Sequence, residues 1–173
     1  RGLGDVYKRQ RLSKIKIFDP ACGSGNFLII AYKEIRELEM KIINQINRLD
    51  RQLYWKGTSI SLSQFYGIEL KDFAQQIAKL SLWLIEKKMD FKFYKEFGYS
   101  KPSLPLRESS NIINGNATRM DWNDVCKVSK NDEVYVLGNP PYLGARVQDS
   151  NQKKDLDIVS VSYTHLTLPT IRL

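Results

Sequence analysis

The chain has 173 residues, 42% of them hydrophobic, with 27 lysines and arginines against 19 acidic residues and a formal charge of +8. That is one domain's length of ordinary globular composition, without the run of roughly 20 apolar residues a membrane-spanning helix needs and without a secretory signal pattern, so a cytoplasmic protein is expected. Cys22 and Cys126 lie far apart with no partner spacing, which argues against a disulfide scaffold and a zinc site, while the basic balance suits a nucleic-acid partner.

The chain opens in a way foreign to a fold. Asp5 to Gln10 (D-V-Y-K-R-Q) can be encoded by GAT GTG TAT AAG AGA CAG. The reverse complement of that string, in a shifted frame, reads Val-Ser-Tyr-Thr-His, which is Val161 to His165. Residues 1–10 and 161–173 are therefore expected to be adapter-derived, leaving 11–160 as a partial catalytic domain cut from a longer protein. Without those ends the balance is 23 basic against 18 acidic residues, or +5. The one histidine, His165, falls in the suspect tail and supports no chemistry.

Lys14 to Phe18 alternates and then turns apolar, as a short strand does. Asp19 to Gly25 is a loop punctuated by Pro20, Gly23 and Gly25. A long helix begins at Asn26, keeps Leu28, Ala31, Ile35, Leu38, Ile42 and Ile46 on one stripe, and ends near Gly57. Gln64 to Ile68 is a second strand, ending at Glu69. A second amphipathic helix follows, with Phe73, Ile77, Leu80 and Leu84 as its apolar face. Residues 90–110 read as loop, with Pro102 and Pro105. Asn111 to Asn114 forms a third strand, and Glu133 to Leu137 a fourth that leads into Gly138-Asn139-Pro140-Pro141-Tyr142. The alternation implies an α/β fold with a parallel sheet, whose ligands bind at the carboxyl ends of the strands. Asp19, Glu69 and Asn139 all fall at such ends.

Gly23 and Gly25 would let backbone approach a ligand and present amide groups at a helix N-terminus. A dinucleotide site would add a third glycine and an acid about 20 residues on. Here Asn26-Phe27-Leu28 follows, and Glu69 stands 50 residues after Asp19. At the other motif, Pro140 and Pro141 stiffen the chain and remove two donors, so the Pro140 carbonyl and the Asn139 side-chain oxygen stand as paired acceptors. Such a pair positions the hydrogens of an amine and stabilises positive charge growing on its nitrogen. Tyr142 offers a ring on which a base can stack.

Asp19-Pro20-Ala21-Cys22-Gly23-Ser24-Gly25-Asn26-Phe27 resembles the first motif of gamma-type adenine-specific DNA methyltransferases, and Asn139-Pro140-Pro141-Tyr142 their catalytic motif. Phe65-Tyr66-Gly67-Ile68-Glu69, Leu80-Ser81-Leu82-Trp83-Leu84 and Asn116 through Trp122 extend the likeness. Together with Leu137 through Ala145 they resemble the MmeI-like methyltransferase domain of single-chain type II restriction–modification enzymes. The resemblance implies a class I S-adenosylmethionine-dependent methyltransferase fold, a Rossmann-like parallel sheet, here incomplete. It implies that Asp19, Pro20, Ala21, Gly23, Gly25, Asn26 and Phe27 wrap S-adenosylmethionine, that Glu69 holds the ribose hydroxyls, and that Asn116 accepts from the cofactor's adenine amine. Asn139, Pro140, Pro141 and Tyr142 then act on the exocyclic amine of an adenine flipped out of double-stranded DNA. Fused nuclease and target-recognition domains are implied in the parent protein, and no metal. Cys22 reads as a small packed residue, and Asp121 and Trp122 as loop packing. Two alternatives stay open: an amine methyltransferase of ribosomal RNA or of a protein glutamine, and a truncated fragment that does no catalysis.

Overall fold

The computed structural model describes residues 2–49, 57–98, 111–139, 150–151 and 153–155. Its strands are β1 (Ile15–Asp19), β2 (Phe65–Glu69), β3 (Asn111–Asn114) and β4 (Glu133–Val136). They form one sheet in the order β3-β2-β1-β4, with every neighbouring pair parallel. Pairing aligns Asp19 with Gly67, Glu69 with Asn114 and Phe18 with Val136, so the carboxyl ends share one edge. The four strands lie within a residue of the expected ones. Short β-branched and aromatic runs between turn residues leave little freedom in placement.

The helices are α1 (Gly2–Leu12), α2 (Asn26–Leu49), α3 (Asp72–Phe97) and the single turn α4 (Trp122–Val125). Side chains alternate across the strands. Ile17 and Phe65 join Leu28, Tyr32, Ile43 and Leu82 in the larger core under α2 and α3. Phe18 and Ile68 join Val125, Cys126 and Trp122 in a smaller cluster, where Trp122 meets Phe18 edge-on at 5.3 Å. α1 packs on α2, and Arg9 reaches the buried carboxylate of Glu39 at 3.2 Å. Residues 2–10 of that helix belong to the stretch expected to be adapter-derived.

Three expectations need correction. The helix placed from Asn26 to about Gly57 is described as far as Leu49, and 50–56 lie outside the described residues. Its stripe is inward at Leu28, Ile42 and Ile46, but Leu38 is exposed. The inward places there go to Arg36 and Glu39, made tolerable by partners: Arg36 donates to the Tyr32 hydroxyl at 2.6 Å and to Asp90 at 2.9 Å. The loop expected over 90–110 is helix to Phe97, because Met89 and Phe93 anchor that stretch on the core. Gly98, with φ 70°, stops it by donating to the Tyr94 carbonyl at 2.8 Å. Residues 99–110 lie outside the described residues.

The third correction concerns the apolar face of α3. Ala78, Leu82, Met89 and Phe93 are buried, whereas Phe73, Leu80 and Leu84 are exposed. The face drawn from the sequence is the outer one. Among the described residues no helix is long and apolar enough to cross a membrane.

Candidate active site

Asp19 closes β1 with its side chain fully buried. Its Oδ1 accepts the Ala21 N–H at 3.0 Å, while its Oδ2 is buried without a hydrogen-bond partner. Burial pushes its pKa above the usual carboxylate range, the Ala21 N–H opposes the shift, and the nearby charge of Glu69 adds to it. β4 lies on one side of β1 and β2 on the other, which makes the β1–β4 edge the point where the strand order reverses. Leu137 prolongs the β1–β4 ladder by donating to the Phe18 carbonyl at 2.9 Å. Gly138 then passes so close to Asp19 that a Cβ there would stand 2.7 Å from Oδ1. Asn139 follows, exposed, at the mouth of the same edge.

The loop after β1 is tied down by its backbone. Cys22 donates to the Ile68 carbonyl at 3.0 Å and Gly25 to the Cys22 carbonyl at 2.8 Å. Gly23 (φ 55°) and Gly25 (φ 84°) adopt left-handed backbone for different reasons. A Cβ on Gly23 would meet nothing within 4 Å, so its face is open. A Cβ on Gly25 would press on Ala78 at 3.2 Å, so this glycine lets α2 start against α3. Gly67 does the same for the loop, since a Cβ there would lie 2.9 Å from the Cys22 sulfur. Burial, reinforced by Asp19 and Glu69, holds the Cys22 thiol up at about 12, so it is packing and not a thiolate nucleophile.

Glu69 ends β2 and faces the loop. Its Oε2 accepts the Gly23 N–H and its Oε1 the Lys71 N–H, both at 2.9 Å. A carboxylate has about four lone-pair sites, so each oxygen can accept once more. Pro20 and Ala21 are half-buried beside Asp19, while Asn26 and Phe27 are exposed in the first turn of α2. At the far edge Asn116 Oδ1 accepts from the Thr118 amide at 3.0 Å and hydroxyl at 2.7 Å. Its Nδ2 donates to Asp155 at 3.0 Å, and Arg119 donates to the other oxygen of Asp155 at 2.8 Å. Asp155 therefore brings helical residues 153–155 onto the turn after β3. No motif marks Asp155 in its lysine-rich surroundings, and none marks Gly138 as the neighbour of Asp19. Asp121 caps α4 through the Asn123 amide at 2.8 Å. Pro140, Pro141 and Tyr142 lie outside the described residues.

A parallel sheet of this order, with a glycine loop after β1 and an acid ending β2, defines a class I methyltransferase fold. The family model for the MmeI DNA-methyltransferase domain matches residues 6–168, and the chain belongs to that family. DNA methyltransferase A of Bacillus subtilis (strain 168) is 49% identical over 147 residues, which are 84% of this chain and 17% of that protein. The type II restriction enzyme and methyltransferase RM.Eco57I of Escherichia coli is 26% identical over 167 residues, covering 86% of this chain and 16% of that protein. The solved structure of the type IIL restriction–modification enzyme MmeI in complex with DNA superposes with a TM-score of 0.79 at 37% identity. It covers 97% of this chain and 22% of that one. The chain thus spans less than a quarter of the relatives it matches.

Proposed function

We propose that this chain is the cofactor-binding and catalytic part of an enzyme that methylates the exocyclic amine of an adenine flipped out of double-stranded DNA. Its methyl donor is S-adenosylmethionine, and the parent polypeptide is a restriction–modification enzyme with nuclease and target-recognition domains. One observation carries this reading. Gly138, the residue before Asn139, lies against the carboxylate of Asp19, which supports a cofactor loop and a catalytic motif that meet at one strand edge.

The residues present fit the donor. The buried, unpaired oxygen of Asp19 suits a protonated amine such as that of an amino-acid moiety. Glu69 keeps lone pairs for a vicinal diol beside the open face of Gly23. Leu70, 66% exposed directly after Glu69, gives an apolar surface for a nucleobase. When bound, S-adenosylmethionine supplies an electrophilic methyl group.

The chain's own residues do the rest. Asn139 and the Pro140 carbonyl accept the two hydrogens of the target amine, raise the electron density on its nitrogen and stabilise the positive charge that grows there. Tyr142 stacks on the flipped base. Asn116 has both lone pairs of its oxygen engaged inside its own turn, so with Asp155 it shapes the far wall of the cleft. Basic charge, +5 over residues 11–160, favours the polyanion.

The test is transfer of labelled methyl groups by the complete gene product to duplex DNA, ribosomal RNA and a glutamine-bearing protein. Asn139→Ala is expected to cut transfer to DNA by about 10²–10³-fold, with cofactor affinity unchanged, since it removes one of two preorganised polar groups. Undiminished transfer removes Asn139 from catalysis, and transfer to RNA or protein alone replaces the substrate.

A further inference from the structure

α3 is apolar on two opposite faces. Ala78, Leu82, Met89 and Phe93 are buried against the core. On the other face run Phe73 (79% exposed), Ile77 (partly buried), Leu80 (48%), Leu84 (54%), Phe91 (60%) and Tyr94 (52%). The steps along this outer stripe are 4, 3, 4, 7 and 3 residues, with Lys87 at the vacant place, and the mean spacing is 3.5. An exposed helix gains nothing from such a stripe, which is the apolar face that an amphipathic helix turns toward another element.

The charges beside the seam narrow the partner. Lys88 and Lys95 are exposed, and among the described residues neither they nor Lys87 form a salt bridge. Their neighbour Lys92 does, with Glu37 at 2.8 Å. Lys95 lies over the Phe91 ring at 4.6 Å, so its cation borders the apolar stripe directly, and Lys87, at the vacant place within the stripe, lies over the Trp83 ring at 5.5 Å. Acidic side chains flanking an apolar seam would complement this edge. The related proteins also have chain to spare: the matched region is 17% of the Bacillus relative and 22% of MmeI.

We propose that the outer face of α3 is a docking seam for one amphipathic helix with acidic flanks, supplied by the remainder of the polypeptide in which this domain sits. From Phe73 to Tyr94 the seam is about 32 Å long at the rise of an α-helix, enough for about six turns of the partner. The proposal concerns assembly and stands whether or not the methyl acceptor is adenine.

The test places a reporter thiol on the seam as Leu84→Cys, in a chain whose own Cys22 and Cys126 are buried. Maleimide labelling is compared between the 173-residue chain and the complete gene product. Labelling at the rate of a free thiol in the short chain, and at least about tenfold slower in the complete protein, is the expected result. Adding Lys87→Glu and Lys88→Glu to the complete protein should restore fast labelling. Equal rates in the two proteins overturn the proposal, as does protection that survives the two charge reversals. Protection that instead rises with the concentration of the short chain, with a dimer in sedimentation, assigns the seam to a second copy and overturns it too. So does protection of the complete protein that needs anionic lipid vesicles.

Discussion

Asp19 is a buried carboxylate with one oxygen satisfied and the other left without a partner. Leaving a buried charge half-paired is unfavourable, and its cause here is the approach of Gly138 and the half-buried Pro20 and Ala21, which keep water away. Its folded pKa is raised, so its contribution to stability is fully present below the unfolded carboxylate pKa and is lost as pH rises through the folded value. At neutral pH the ionised group therefore weighs against the fold. Asp19→Asn keeps an acceptor for the Ala21 N–H and removes the charge. In the absence of ligand this variant is expected to melt higher than the unchanged chain at pH 8, with the gap closing in acid. Its S-adenosylmethionine affinity should fall by the worth of a charged hydrogen bond, about 1.5–3 kcal/mol. Scanning fluorimetry and calorimetry on the same samples check both halves. A variant that melts lower at pH 8 would show that the orphan oxygen has a partner in solution. The position of Asp19 was legible, since a short apolar strand followed by Pro20 and glycines marks a strand end. Its unpaired oxygen was not, because that depends on β4 lying beside β1, and no local pattern in Glu133–Val136 says which strand it will join.

At the scale of the element, α3 shows where periodicity stops being informative. Phe73, Ile77, Leu80 and Leu84 keep helical spacing as well as Ala78, Leu82, Met89 and Phe93 do. Spacing identifies a face and says nothing about which of two faces meets the sheet. The structure decides through fit: Ala78 is small enough for Gly25 to approach, and Gln75 can turn inward because its amide donates to the Ile112 carbonyl at 2.8 Å. A polar residue at an inward position weakens that face in a pattern count, and its hydrogen bond to β3 is invisible there. The two faces make opposite predictions for neighbouring leucines. Leu82→Ala should cost about 2–5 kcal/mol, because its side chain is fully buried and leaves a cavity. Leu84→Ala in the same 173-residue chain should change stability by no more than about 0.5 kcal/mol, as for an exposed position. Urea unfolding of both variants measures the difference, and equal losses would mean that the outer face is already covered in this chain. α2 departs from its pattern in a smaller way: Arg36 and Glu39 look like solvent-facing residues, yet both are buried in polar networks.

Over the whole molecule the proposed site draws on strand ends far apart in sequence. Asp19 comes from β1, Glu69 from β2, Asn116 from the turn after β3 and Asn139 from the end of β4. A cofactor held between Asp19 and Glu69, as proposed, would stabilise the fold as a unit, because it binds only when both strand ends are in place. At a concentration 100 times its dissociation constant, S-adenosylmethionine should add about 2.7 kcal/mol. For a chain of this length that corresponds to a rise in melting temperature of roughly 5–11 °C. The sign of the pH dependence follows from Asp19. Its raised pKa means that the proton competes with a cationic partner, so the ligand-induced rise should be larger at pH 8 than at pH 5. Asp19→Asn should flatten that pH dependence and shrink the rise at pH 8, since its side chain no longer ionises. Differential scanning calorimetry of the two proteins, each with and without ligand at both pH values, separates the possibilities. A rise that is equal at the two pH values in the unchanged chain would detach Asp19 from the ligand's charged end. A rise that is absent altogether would mean that these strand ends do not bind S-adenosylmethionine in this chain, whatever they do in a longer one.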